Sequence, residues 1–225
     1  MTSAAILSDA RVVAALIGGA VVAGGWVVTH LLSARRDRAA RAERVRDVQG
    51  ALYAEIRVHV ATLKSQNLPR YGAEIEALIL KGGGFFPVIP TEHNDRLFTA
   101  IVEDIHVLPF RVVDPVVRYY SQLSTIGAMI ADLRALRIDR VEAARAARMY
   151  RHYIEMKIEA IDLGEKAMAF LLAHLTGGNE AVARLIDSQQ EARLAQTKAG
   201  VTEWIRTEKA RLSAGNSPAS GRSGQ

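Results

Sequence analysis

Val12 to Leu32, VVAALIGGAVVAGGWVVTHLL, followed by Ser33 to Asp47, SARRDRAARAERVRD, is the stretch on which the fold turns. The first part carries no charged side chain. At about 1.5 Å per helical residue it reaches about 30 Å, the thickness of a bilayer's hydrocarbon core. The pattern predicts one transmembrane helix over 12–32, preceded by a short extracytoplasmic segment, 1–11.

Charge sets the expected orientation. Arg35, Arg36, Arg38, Arg41, Arg44 and Arg46 follow the span, diluted only by Asp37 and Glu43, whereas the residues before it hold just Asp9 and Arg11. Arginine beside a span is retained on the cytoplasmic side. The expectation is a single-pass protein of the plasma (inner) membrane, with its N-terminus outside and its main domain cytoplasmic. Trp26 suits the interface, and Arg35, Arg36, Arg38 and Arg41 suit anionic headgroups, each attracted by about 1 kcal/mol close to the surface. A cleaved signal peptide would instead want a positive n-region and a shorter apolar run. Here the n-region has no net charge, and the arginines that follow oppose export.

Within the span, Ala15, Gly19 and Ala23 recur every four residues. Small residues at that spacing let two membrane helices approach closely, so this face is the candidate for dimerisation.

The chain has 225 residues, room for one anchor and one domain. Its formal charge of +5 lies mostly in the arginine block, which alone contributes +4. The rest is close to neutral, so the lipid bilayer is the expected basic-patch partner and nucleic acid is not. There is no cysteine, which excludes disulfides, thiolate catalysis and cysteine-ligated metal. Arginine greatly outnumbers lysine, as a bacterial genome of high G+C content would produce.

Beyond the span the pattern is helical throughout. Val45, Val48, Leu52, Ile56 and Leu63 form one stripe, predicting a basic juxtamembrane helix over 33–66 that continues the span. A short helix is expected over Arg70 to Lys81, stopped by Gly82, Gly83 and Gly84. The triple glycine lacks the Gly-Lys-Ser/Thr ending of a phosphate loop. Phe85-Phe86-Pro87-Val88-Ile89-Pro90 cannot be helical, yet it is bulky and apolar. It reads as a plug at the end of a bundle or, functionally, as a docking groove in which Phe85 and Phe86 meet a partner.

Further helices are expected from Thr91 to about Val107, from Asp114-Pro115 to about Arg137, and from the Asp139/Glu142 capping box to Leu175. Gly177-Gly178 should end the last of these, and Asn179 should begin another running to about Leu212. The fold expected is therefore all-α: a transmembrane helix followed by an elongated cytoplasmic helical bundle over 67–212, then a disordered tail over 213–225.

Chemistry is sparse. Glu103 and His106 form a Glu-x-x-His pair of the kind used in di-iron bundles, which would need a second such pair and two further glutamates. His152 with Glu155 and Glu159, and Glu55 with His59, supply only fragments of that set. No Gly-x-Ser-x-Gly elbow occurs, and no cofactor signature is present. Arg145, Arg148 and His152 share a helix face that could dock an anion or a partner. The expectation is a non-catalytic membrane-anchored interaction or scaffold protein, whose partner is another protein or a second copy of itself. A dimerising membrane sensor is the alternative, and a metal-dependent helical-bundle enzyme a further one.

Overall fold

The computed structural model describes residues 10–91, 94–136 and 140–215, apart from the side chains of 10–17, 20–22, 210 and 212–215. The described residues form helices and no strand. Helix α1 runs unbroken from Ala10 to Ser65, 56 residues, which at 1.5 Å per residue is about 84 Å. It ends at Asn67, whose left-handed backbone (φ 45°) is one that asparagine tolerates. Pro69 then sits in the first turn of α2 (Leu68–Leu80), where its missing N–H costs nothing. Gly82, Gly83 and Gly84 all take positive φ and turn the chain away.

The segment expected as one helix from Thr91 to Val107 is different. Helix α3 covers only Arg96–Ile101, and Val102–Val107 tightens into a 3-10 turn. The start is displaced because the acceptor for its free N–H groups comes from α1. Glu55 takes hydrogen bonds from the amides of Leu97 (2.7 Å) and Phe98 (3.1 Å), while Thr91 receives one from the Arg134 side chain.

Helix α4 (Phe110–Ala135) begins a turn earlier than Asp114-Pro115 suggested. The Pro109 carbonyl accepts from Val112 (2.8 Å) and Val113 (3.1 Å), closing the first turn ahead of Pro115. Asp114, expected as a cap, pairs instead with Arg118 at 3.0 Å.

Helix α5 spans Ala143–Gly215 and leaves helical geometry at Gly178 (φ 61°, ψ −154°). Lys166 and Phe170 share one cavity wall with Ile186, Gln189 and Gln190. In a straight helix Lys166 and Gln190 would lie about 36 Å apart, so the chain doubles back at Gly178. The sequence break at Gly177-Gly178 is thus the tip of a helical hairpin. The helix continues past Leu212 to Gly215, and 216–225 lie outside the described residues.

The core is continuous but has two ends. Val48, Leu52 and Ile56 of α1 meet Val112, Val116 and Tyr119 of α4 and Phe170 and Leu171 of α5 at one end. Leu63 meets Ile130, Leu133, Tyr150 and Ile154 at the other, with Leu68 and Ile79 of α2 closing over them. Leu123 and Ile161 belong to both. So α1 and α4 run parallel, and the first arm of α5 returns between them.

Among the described residues no helix is long and apolar enough to cross a membrane. The stretch Val12 to Leu32 falls partly outside that set, since the side chains of 12–17 and 20–22 are not described. The described remainder is bare: Trp26 is 70% exposed, and Val27, Val28, Leu31 and Leu32 are exposed as well.

Gly164 governs the packing. A Cβ there would lie 2.4 Å from Val60 Cγ2 and 2.9 Å from Tyr119 Cε2. Gly164→Ala should therefore destabilise the bundle by about 1–3 kcal/mol in urea unfolding. Gly50→Ala, where a Cβ meets nothing within 4 Å, should be neutral or stabilising by up to about 1 kcal/mol.

Candidate functional site

A polar seam crosses the apolar interface of α1, α3 and α4. Glu55 holds the first amides of α3 and also accepts from the Tyr120 hydroxyl at 2.6 Å. The Tyr120 ring stacks on Phe98, centroids 3.9 Å apart. One turn along α1, buried His59 places Nδ1 2.6 Å from the Tyr119 hydroxyl and receives the Asn94 amide at Nε2, 3.1 Å away. Lys157, also buried, reaches the Tyr153 hydroxyl at 3.3 Å and lies 5.3 Å from that ring's centroid.

These groups border a cavity of about 660 Å³ onto which Glu55, His59, Asn94, Arg96 and Lys157 open. Its chemistry is that of hydrogen bonding. Burial first, and the charge of Glu55 second, push the Tyr119 hydroxyl well above its ordinary range. Burial and the hydrogen bond to Glu55 do the same to Tyr120. Both stay phenols at any physiological pH, and Glu55 is committed to three donors. The seam ties α3 to the bundle.

The Glu-x-x-His candidate is occupied locally. Glu103 and His106 lie in the 3-10 turn, where His106 Nδ1 is 2.6 Å from the Glu103 carbonyl. The remaining fragments are dispersed: His152 pairs with Glu155 at 3.6 Å, and Glu159 accepts from Gln122. Among the described residues no three His, Asp or Glu side chains converge as a metal site requires.

The Phe85–Pro90 stretch divides. Phe86 packs edge-on against Tyr150 with centroids 6.3 Å apart, and Ile89 is buried, so these two plug the far end of the core. Phe85 stays exposed and Val88 is 96% exposed. Arg145 and Arg148 are exposed on the first turns of α5, next to Arg151, which is engaged by Glu76. Arg35, Arg36, Arg38 and Arg41 are all exposed on α1.

No family model, curated protein or solved structure matches this chain. The residues themselves carry the functional reading.

Two features were not singled out from the sequence. One is the second arm of α5, where Leu194, Val201, Trp204 and Ile205 are exposed on a helix that has left the core. Their spacing by seven, three and one was the available signal. The other is the bond between fully buried Gln49 and His174 at the hairpin tip, Nε2 to Nδ1 2.8 Å. Its partners lie 125 residues apart, which no local pattern reveals.

Tyr120→Phe removes one donor to Glu55 and should cost about 1 kcal/mol in urea unfolding. Glu55→Ala also frees two amides and should cost more. Burial lowers the His174 pKa below its ordinary 6.5, so the folded state takes up that proton later than the unfolded chain does. Its contribution to stability is then full above pH 6.5 and is lost as pH falls through the lowered value. The stability difference between wild type and His174→Gln should therefore shrink on acidification from pH 7, and NMR titration should place the ring below 6.5.

Proposed function

We propose that the chain is a membrane-anchored helical interaction protein, held by residues 12–32 and presenting its bundle to a protein partner at the cytoplasmic face of the plasma membrane. One observation carries this reading. Every described residue from Ala23 to Leu32 is exposed, including Trp26, two valines and two leucines, on a helix that continues without interruption into the core. A bare apolar face of this kind needs a covering medium. The arginines that begin three residues later favour a bilayer with anionic headgroups. The unbroken α1 supports tethering, because a domain fixed to its anchor by helix has a raised effective concentration at the membrane.

The partner-facing element is the second arm of α5, with Leu194, Val201, Trp204 and Ile205 exposed. Trp is a frequent anchor of protein interfaces. The protein acts here by location and binding, without catalysis.

A dimerising membrane sensor is the second reading, favoured by the open face of α1. Gly19 and Ala23 are exposed, and a Cβ at Gly19 meets nothing within 4 Å. The Ala15 side chain lies outside the described residues. In that reading, association of two spans is passed along α1 to the core.

Carbonate washing should leave the full chain in the membrane pellet, while removal of residues 1–32 should release it. A C-terminal epitope should resist protease in intact spheroplasts and be digested after lysis. Release of the full chain by carbonate, or digestion from outside, overturns the reading.

A further inference from the structure

The geometry points to a phosphate-binding site at the end of the bundle nearest the arginine block, between α1 and the hairpin tip of α5. A cavity of about 520 Å³ opens there, with Arg38, Arg41 and Arg46 along one side and Val45, Val107 and Leu175 supplying apolar wall. Arg38, Arg41, Val45 and Gln49 follow one another at intervals of three, four and four, so they share one face of α1. Gln49, fully buried, and His174 are bonded to each other at the back of this face and brace the hairpin against α1. Gly177 and Gly178 complete the wall at the turn itself.

Several arginines are already engaged by carboxylates. Arg44, off this face, donates to both oxygens of Asp104 at 2.8 Å. Arg70, Arg118 and Arg151 each have a carboxylate as well. Arg38, Arg41 and Arg46 have no ion pair among the described residues, although Asp37, Glu43 and Asp47 stand beside them in sequence. Three arginines along one cavity wall make it a positively charged pocket that an anion would neutralise. Their planar forks match phosphate oxygens two at a time, and the apolar wall accepts the carbon part of a phosphate ester.

Two sources offer that chemistry. Arg38 lies about 9 Å beyond Leu32 along α1, and Arg46 about 21 Å. The headgroup layer is about 5–8 Å deep on each side of the bilayer, so the long side chains of Arg38 and Arg41 can reach back to a headgroup phosphate at its rim. This source rests on the anchoring proposed above. A soluble phosphate ester entering from the side does not.

The test is the unfolding midpoint of the full chain in nonionic micelles, titrated separately with dioctanoyl phosphatidylglycerol and with inorganic phosphate. A ligand of the folded state raises the midpoint saturably. The expected result is such a rise with the lipid, retained in R57Q, an exposed arginine of α1 that does not line the cavity. In R38Q/R41Q/R46Q the apparent affinity should fall about tenfold or more. R41Q alone should lie between, which guards against misfolding of the triple variant. A rise with inorganic phosphate that needs the same three arginines also supports the site and assigns it to a soluble ligand. Equal weakening in R57Q, or no saturable rise with either probe, overturns the proposal. Carbonate extraction is scored separately. A chain released by carbonate that keeps the arginine-dependent rise retains the site and loses the anchor.

Discussion

The bundle depends on how closely α5 approaches α1 and α4 at Gly164. At that level the neighbours are Val60 and Tyr119, and no side chain larger than hydrogen fits between them. The close approach brings Ala160 and Ala167, both fully buried, onto the same interface. At the same level the Tyr119 hydroxyl meets His59, the two rings tilted by 59°. Gly72 repeats the device in α2, where a Cβ would lie 2.9 Å from Ile154 Cγ2. Small residues at crossings thus fix the helix spacing, and the large apolar residues fill what remains.

That spacing has polar consequences. Once α1 and α4 are close, Glu55 and His59 cannot reach water freely, and each must be satisfied from within. Glu55 finds the amides of α3 and Tyr120; His59 finds Tyr119 and Asn94. A short helix of six residues, too short to stand alone, acquires a fixed place because a carboxylate from another helix holds its first amides. The seam therefore specifies where α3 sits, and with it the shape of the cavity beside it.

The all-helical architecture was legible because apolar stripes at helical spacing dominate. Of Val45, Val48, Leu52, Ile56 and Leu63, read as one face, Val45 is half-buried and the others are buried, and Gly82 to Gly84 and Gly177-Gly178 mark real turns. What escaped was whatever depends on distant partners. The start of α3 follows Glu55, 42 residues from Leu97, and so could not be read from Thr91. Pro115 looked like a helix start, yet it sits inside α4 because the Pro109 carbonyl closes a turn before it. The Glu-x-x-His pair was visible as a motif, but the other ligands it would need are turned to separate tasks. The arginines were legible as a charged block; that three of them share a cavity with a hairpin tip was not, since the tip is more than a hundred residues away.

The unbroken α1 has a mechanical meaning. Leu32 and Val48 are joined by 16 residues of one helix, about 24 Å of rod with no hinge between them. Each residue of that rod fixes about 100° of azimuth. Whatever grips the helix before Leu32 therefore sets the compass bearing of the whole bundle, and a twist applied at one end arrives at the other with its angle preserved. Inserting a single residue between Leu32 and Arg38 would leave the contacts of the core intact and yet turn the bundle to face a different direction.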